Sequence, residues 1–381
     1  MNRKLRMGMI GGGTGSFIGD VHRKAVAIDG MIELVCGAFS SSAEKSIASG
    51  KALLLPEERC YGTYAEMILK EAALPEEERM DFVAIVTPNH MHFEPAKMAL
   101  EHGFHVVCDK PITLTLEEAL ALKKVVEQSG KRFALTHNYT GNSLVKQARA
   151  MVAKGDLGTI RKVQIQYLQG WLSTAVETTN NKQAAWRVDP KRSGIGGALG
   201  DIGTHAENLM EYITGLKIEE LAADLGRFGD GRILDDDGNL LLRLENGAKG
   251  TLSISQIALG EENNLAIKVY GTKGSLEWHQ ENPNKLTTHW LDEPMKVYTP
   301  NGNGLYPECL QVSRIPAGHP EGYLEAFATI YKNFANHLLA DLNGEIIENP
   351  DYPTAADGLR GVQFIYAAVA SDNNNAAWTK M

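Results

Sequence analysis

The chain has 381 residues, a formal net charge of −9, and 22% charged against 43% hydrophobic residues. That length suits two domains of roughly 100–200 residues, with enough apolar content for two cores without metal or disulfide staples. The acidic balance speaks against DNA or RNA as a main partner, because phosphate backbones are bound by basic surfaces. Cys36, Cys60, Cys108 and Cys309 show no zinc or disulfide spacing, and those in LVCGAF and FHVVCDK read as small buried hydrophobes. The opening MNRKLRMGMIGGG lacks the apolar core of a signal peptide, and no run approaches the ~20 apolar residues of a membrane span. A reducing, cytoplasmic setting is expected.

Arg6–Ile10 is a short apolar run that leads into Gly11, Gly12 and Gly13, and a helix is expected over Asp20–Ile28. Ile32–Phe39 is a second apolar run. Thr63 and Glu66 have capping-box spacing. Phe82–Val86 reads as a strand, His92–Glu101 as a helix and Phe104–Cys108 as a strand. Thr115, Glu118 and Gly130 bracket another helix, and Arg132–Thr136 is a further strand. Short apolar strands separated by helices imply a doubly wound α/β domain with a parallel sheet over residues 1–138.

The pattern changes after Tyr139. Ser143–Lys154 looks helical, and Val163, Ile165 and Tyr167 alternate with polar residues as in a half-buried strand. Leu240–Leu244 and Gly250–Ile257 flank Asn246-Gly247, a strong hairpin signal. Leu265–Tyr270 and Ser275–Trp278 flank GTKG as a second hairpin. Residues 139–381 are expected to form a substrate-binding α+β domain with an antiparallel sheet, its closing helix near 355–370 available to pack back on the first domain.

The first strand runs straight into GGGTGSFIG, from Gly11 to Gly19. A strand, clustered glycines and a helix start form the context of a dinucleotide site: the glycines let backbone approach a pyrophosphate, and the helix N-terminus supplies free amides. Gly11, Gly13, Thr14, Gly15, Ser16, Phe17 and Ile18 are the candidates. The third glycine of G-x-G-x-x-G is replaced by Ser16, which is small enough for close helix packing. The second strand ends in AFSSSAEK, with no acid to bind a ribose 2′-hydroxyl. Ser40 and Ser41 would tolerate a 2′-phosphate and Lys45 would pair with one, so NAD and NADP both stay open; the serines also read simply as helix caps. Thr87, Pro88, Asn89 and His92 follow the third strand, and Asp109 and Lys110 the fourth, all at the carboxyl edge where such sheets bind ligands.

Lys110, between Asp109 and Pro111, is placed to donate a proton or hold a reacting oxygen. The stretch SGIGGALGDIGTHAENLMEYITG has five glycines from Gly194 to Gly203. Asp201 and His205 stand four apart, on one face of a helix, where the acid can orient a histidine acting as general base. A capping aspartate and a packed histidine are the plainer alternative. Neither His90 and His92 nor His102 and His105 come with a second pair of metal ligands, and there is no G-x-S-x-G elbow, so a metal site and a serine hydrolase are both disfavoured. Asn138, Tyr139, Trp171, Trp186, Arg187, His319 and Tyr323 offer the polar groups and aromatic faces that suit a sugar.

Taken in order, GGGTGSFIG, TPNHMH at 87–92, DKP at 109–111 and GGALGDIGTH at 196–205 resemble the Gfo/Idh/MocA family, relatives of glucose-fructose oxidoreductase and inositol dehydrogenase, over nearly the whole chain. The resemblance implies a Rossmann domain followed by a domain with a large, mostly antiparallel sheet that often joins protomers into a homodimer or homotetramer. It implies that His205 is the acid–base, that Lys110 contacts the reacting hydroxyl and the nicotinamide ribose, and that Asp201 orients the histidine or the substrate. The reaction it implies is NAD(P)-dependent hydride transfer at a ring carbon of a sugar, anhydrosugar or inositol. The usual Glu-Lys-Pro reads Asp-Lys-Pro here, and the acid after strand two is absent, which is more like NADP-using members. Two other readings stay open: a glycoside-cleaving enzyme that retains its cofactor, and a cofactor-binding regulator without catalysis.

Overall fold

The computed structural model describes residues 3–179 and 182–381, which form two compact units. One runs to Thr136 and takes in Phe327–Leu359; the other is His137–Ala326 with Arg360–Met381. In the first unit β1 (Leu5–Gly11), α1 (Phe17–Ile28), β2 (Ile32–Ala38), α2 (Ala43–Ala52), α3 (Tyr64–Ala72), β3 (Phe82–Val86), α4 (Phe93–Glu101), β4 (His105–Cys108), α5 (Leu116–Ser129) and β5 (Phe133–Leu135) alternate along the chain. The five strands are all parallel, in the order β2-β1-β3-β4-β5. Every residue of β3 is buried, as the apolar run FVAIV requires of a strand covered on both faces. Strand order reverses at β1, so the loops after β1 and β3 diverge and leave a crevice at the carboxyl edge.

Helix α1 begins at Phe17 rather than Asp20, because Ser16 is its cap and accepts from the Gly19 amide. Thr63 caps α3 as its spacing predicts, but Glu66 turns its carboxylate to the Gly62 amide. The Thr115–Glu118 capping box is complete, and α5 ends at Gly130. All four cysteines are buried free thiols. Among the described residues no helix is long and apolar enough to cross a membrane.

The second unit contains α6 (Ser143–Ala153), β6 (Ile160–Leu168), α7 (Lys182–Arg187), α8 (Pro190–Ser193), a π-helical turn at Leu199–Gly203, α9 (Thr204–Thr214), β7 (Ile218–Gly226), β8 (Asp237–Leu244), β9 (Lys249–Ser255), β10 (Asn264–Gly271), β11 (Gly274–His279), β12 (Leu286–Trp290), β13 (Lys296–Tyr298) and α10 (Pro307–Leu310). The chain continues through α11 (Tyr323–Leu342) and α12 (Ala355–Asn373) to β14 (Thr379–Lys380). Nine strands form one sheet in the order β13-β12-β11-β10-β6-β9-β8-β7-β14. Among the described residues β6 and β9 pair in parallel and the other neighbours are antiparallel. Both expected hairpins are present, as β8–β9 and β10–β11. Leu240, Leu242 and Leu244 of β8 point into the core while Asn239 and Leu241 face out, the period-2 pattern of a sheet covered on one side. Helix α9 lies against β6 and β10, and α6 against α9 and β11.

No element is expected from the sequence at 323–342, yet this is the longest helix described. Its Phe327, Tyr331, Phe334 and Leu338 recur at helical spacing and are all buried in the first unit. Phe334 meets Phe82 edge-on at 5.3 Å, Tyr331 Oη lies 2.6 Å from His22 Nδ1, and Asp341 takes both Arg132 Nε (2.7 Å) and Nη2 (2.6 Å). His22 is fully buried, and burial pushes its ring down to about 4. A ring whose folded value is depressed contributes stability that is complete above its ordinary value and is lost as pH falls toward the folded one. Acidification from pH 6.5 to 5 is therefore expected to cost about 2 kcal/mol through His22 alone. Thermal unfolding across that range should show a shallower pH dependence in His22→Gln; equal slopes in both proteins would refute the assignment.

Candidate active site

In the first unit the sequence candidates gather at the carboxyl edge of the sheet. A Cβ on Gly19 would stand 2.3 Å from Gly12 Cα and 2.5 Å from its carbonyl oxygen, so the first turn of α1 packs backbone on backbone against the end of β1. Gly19, and not Ser16, is thus the glycine of close helix packing. Arg23 Nη1 donates to Gly12 O (2.5 Å), Gly13 N to Phe39 O (3.2 Å) and Thr14 N to Ser49 Oγ (3.1 Å). Arg23 and Ser49, which no sequence motif marked, hold the turn in shape. Gly15 has φ +81° and a Cβ there would meet nothing within 4 Å, so the tip stands open beside the first-turn amides of α1. Open space, close backbone and unpaired helix amides are what a pyrophosphate needs, and the residues present fit a dinucleotide.

At the end of β2, Ser40 Oγ accepts from Ser42 N (3.2 Å), and Ser42 caps α2 by accepting from Lys45 N (3.4 Å). The capping reading of these serines holds. Ser41 and Lys45 are exposed, and no carboxylate stands between Ala38 and Ala43. After β3, Thr87 Oγ1 donates to Met91 O (3.0 Å), and Asn89 is buried. His92 is fully buried, its Nδ1 2.7 Å from Pro111 O and its Nε2 2.9 Å from Thr87 O. Its ring ties the loop after β3 to the loop after β4 instead of turning a nitrogen toward a ligand. Asp109 Oδ1 accepts from Lys110 N (3.0 Å) and from the Thr136 hydroxyl (2.6 Å). The half-buried Lys110, joined to Pro111 by a cis peptide, therefore sits on a loop braced from both sides.

In the second unit a buried polar cluster surrounds His205, which is 8% exposed. Its Nδ1 lies 3.3 Å from Nδ1 of His137, itself 2% exposed. The rings of Tyr139 and Tyr167 stand 5.0 and 6.2 Å from it, and the two hydroxyls meet at 2.6 Å. Burial pushes both phenols above their ordinary value, so they stay neutral. Tyr167 donates to Asn263 Oδ1 (2.8 Å), which also takes Gln169 Nε2 (2.8 Å); Gln169 Oε1 in turn accepts from Trp171 Nε1 (2.9 Å) and Gln256 Nε2 (3.4 Å). Asp201 Oδ2 accepts from Gln256 Nε2 (2.9 Å) and Arg187 Nε (3.0 Å), and the Arg187 guanidinium lies over the Trp186 ring at 4.4 Å.

Tyr139, Trp171, Trp186, Arg187, Asp201, His205 and Tyr323 thus belong to one connected group, Tyr323 through its ring 6.2 Å from Tyr139. Asn138 is buried in the same segment, and its Nδ2 has no partner among the described residues. His319 is exposed and bonds within its own turn, to Pro316 O. Asp201 lies in a π-helical turn and His205 in the first turn of α9, so the plain α spacing expected between them does not apply as such, and the His137 ring meets Nδ1 of His205. Asp235 orders that turn, accepting from the amides of Gly197 (2.7 Å) and Leu199 (2.6 Å). His137, Gln169, Gln256, Asn263 and Asp235 escaped the sequence reading because they are isolated polar residues with no spacing signature. Among the described residues no group of histidines, cysteines or acids could hold a metal.

Comparison with known proteins agrees with both halves of this picture. Residues 5–137 match the model of the oxidoreductase family with an NAD-binding Rossmann fold, and residues 145–277 match that of the GFO/IDH/MocA C-terminal domain. The uncharacterized oxidoreductase YfiI of Bacillus subtilis (strain 168) is 35% identical over 385 residues, covering 100% of this chain and 98% of that one. The chain belongs to the Gfo/Idh/MocA family of oxidoreductases. A crystal structure of an inositol dehydrogenase homolog from Azotobacter vinelandii, complexed with NADH and myo-inositol, superposes with a TM-score of 0.93 at 35% identity, over 100% of this chain and 98% of that one. Levoglucosan dehydrogenase of Pseudarthrobacter phenanthrenivorans is 28% identical over 80% of this chain and 84% of its own. Residues 5–137 are accordingly an NAD-binding Rossmann domain of the Gfo/Idh/MocA family.

The contact between Gly12 and Gly19 leaves no room for a methyl group. Gly19→Ala should weaken NADH binding, followed by nicotinamide fluorescence, at least about tenfold, and should lower the melting temperature. Unchanged affinity would show that the turn does not shape the seat.

Proposed function

We propose that this oxidoreductase uses NAD(P) to oxidise a secondary hydroxyl on the ring of a sugar, anhydrosugar or cyclic polyol, with His205, Lys110 and Asp201 as the reacting group's partners. The observation that carries this reading is the hydrogen-bonded chain from Trp171 through Gln169, Asn263 and Tyr167 to Tyr139, whose ring packs edge-on against the His205 ring. Such a wall alternates polar atoms with aromatic faces, as the hydroxyls and C–H faces of a ring substrate demand. The inositol and levoglucosan relatives support the same substrate class.

Bound NAD(P) supplies the hydride acceptor. His205 Nε2 takes the hydroxyl proton as the adjacent C–H gives up its hydride, and the Lys110 ammonium stabilises the negative charge growing on the oxygen. Asp201, held by Arg187 and Gln256, forms a fixed acidic wall beside the ring. The Nδ2 of Asn138 donates to a second hydroxyl of the substrate, which satisfies an atom that finds no acceptor among the described residues. The absence of an acid after β2 leaves the cofactor choice to Ser40, Ser41 and Lys45, which accept either NAD or NADP. The outer face of the nine-stranded sheet joins the chains into a homodimer or homotetramer.

A spectrophotometric screen of pyranoses, anhydrosugars and inositols with both cofactors tests the substrate class. Lys110→Met and His205→Ala should each lower kcat about 100-fold or more on the substrate found, with NADH affinity preserved in His205→Ala. Wild-type rates in both variants would remove these residues from the mechanism. Ser41→Asp should shift the NAD over NADP preference toward NAD by about tenfold, since a carboxylate there favours the free 2′-hydroxyl and repels a phosphate; an unmoved ratio would place cofactor selection elsewhere.

A further inference from the structure

We propose that Asp235 and Asp236 form a two-sided brace of positioning residues. Asp235 sets the turn that carries Asp201, and Asp236, through Arg232 and Glu177, sets the segment that carries Trp171. The proposal rests on the reading of Asp201 and His205 as partners of the reacting group and of Trp171 as part of the substrate wall. Both acids directly precede β8, and both are buried. A buried carboxylate persists only where donors answer its charge, so its partners show what it holds.

Asp235 reaches the glycine-rich stretch before α9. Its two oxygens accept from the amides of Gly197 (2.7 Å) and Leu199 (2.6 Å), and its carbonyl accepts from the amide of Ala198 between them (2.8 Å). One residue thus holds three successive amides where the π-helical turn opens. Asp201 and then His205 follow along the same stretch of chain, so a shift there is carried toward both.

Asp236 reaches a different segment. Its carboxylate accepts from the amides of Phe228 (2.9 Å) and Gly229 (2.7 Å) and from Arg232 Nη1 (3.1 Å). Arg232 passes the link on: Nε and Nη2 donate to the two oxygens of Glu177 (2.8 and 3.1 Å), and Nη2 also donates to Thr174 O (3.1 Å). The side chains of Arg232 and Asp236 are 3% and 2% exposed, so water competes poorly for their bonds and one arrangement is kept. A second route runs through main chain, since Asp236 O accepts from Gln256 N (2.8 Å) and Gln256 O from Leu172 N (2.9 Å). The chain just after Trp171 is therefore tied to Asp236 at Leu172 by backbone and at Thr174 and Glu177 by Arg232.

Two carboxylates adjacent in sequence then serve different parts of one reaction. Loosening the turn misplaces the reacting partners, and a small misplacement costs rate. Loosening the wall weakens contacts made alike in the ground and transition states, which raises KM and leaves kcat.

The test combines steady-state kinetics with peptide-level amide hydrogen exchange on the full-length protein. Asp235→Asn keeps the shape but turns an NH2 donor toward one of the two amides; kcat should fall about tenfold or more while KM stays within about threefold. Glu177→Ala should raise KM about fivefold or more with kcat within about threefold, and Glu177→Gln, which keeps one acceptor oxygen, should lie between it and wild type. Exchange should rise at 196–200 in Asp235→Asn and at 172–178 in Glu177→Ala, each without the other. An unchanged KM in Glu177→Ala overturns the proposal even where Asp235→Asn does not fold. So does a fall of kcat in both variants, or an equal rise of exchange at both segments in either one. Failure of the dehydrogenase reading would look different: no ring substrate would turn over in the wild-type protein, while the exchange pattern would still decide the brace.

Discussion

The first unit depends on one backbone contact. Gly12 and Gly19 meet with no side chain between them, which lets α1 start directly at the end of β1 and point its first-turn amides at the crevice where strand order reverses. A seat built from amides binds an anionic cofactor without needing many cations, so a net charge of −9 is no obstacle. Because that seat is backbone, the side chains around it serve other ends. Arg23 and Ser49 hold its shape, Ser42 caps the next helix, and His92 and Asp109 stiffen the loops that present Lys110.

The glycines of the second unit have a different cause. A Cβ on Gly197 would stand 2.1 Å from Asp235 O, and one on Gly196 would crowd Ile365 at 3.1 Å. GGALG is small because the chain passes close to other backbone, not because it wraps a phosphate. The π-helical turn that follows reorients the chain between Asp201 and His205, and Asp235 supplies acceptors for two amides there. Every polar link from Trp171 to Asp201 is then satisfied by another side chain, which keeps a buried network in one arrangement.

Much of this was legible in the residues. The parallel strands, the Thr115–Glu118 helix and both hairpins followed from apolar period, capping residues and Asn-Gly, all of which act locally. The glycine turn and the Asp201–His205 stretch stood out by motif order, while Tyr139, Trp171 and Arg187 were candidates only as residue types that suit a sugar. What escaped depends on contacts distant in sequence. Phe327–Leu342 returns to the first unit because Phe82 and His22, some 250 residues earlier or more, need covering, and nothing near 327 says so. Gly19 was passed over because the expected glycine spacing stopped at Ser16. The contact between His137 and His205 spans 68 residues, and no motif around either residue announces it.

The cluster around His205 keeps two kinds of polar surroundings apart. The Asp201 carboxylate meets the Arg187 guanidinium at 3.0 Å and the Gln256 amide, while the His205 ring is flanked by two neutral phenols and the His137 imidazole. A carboxylate held by a cation and an amide donor at once has its position set by both, and that fixes one polar edge of the cluster.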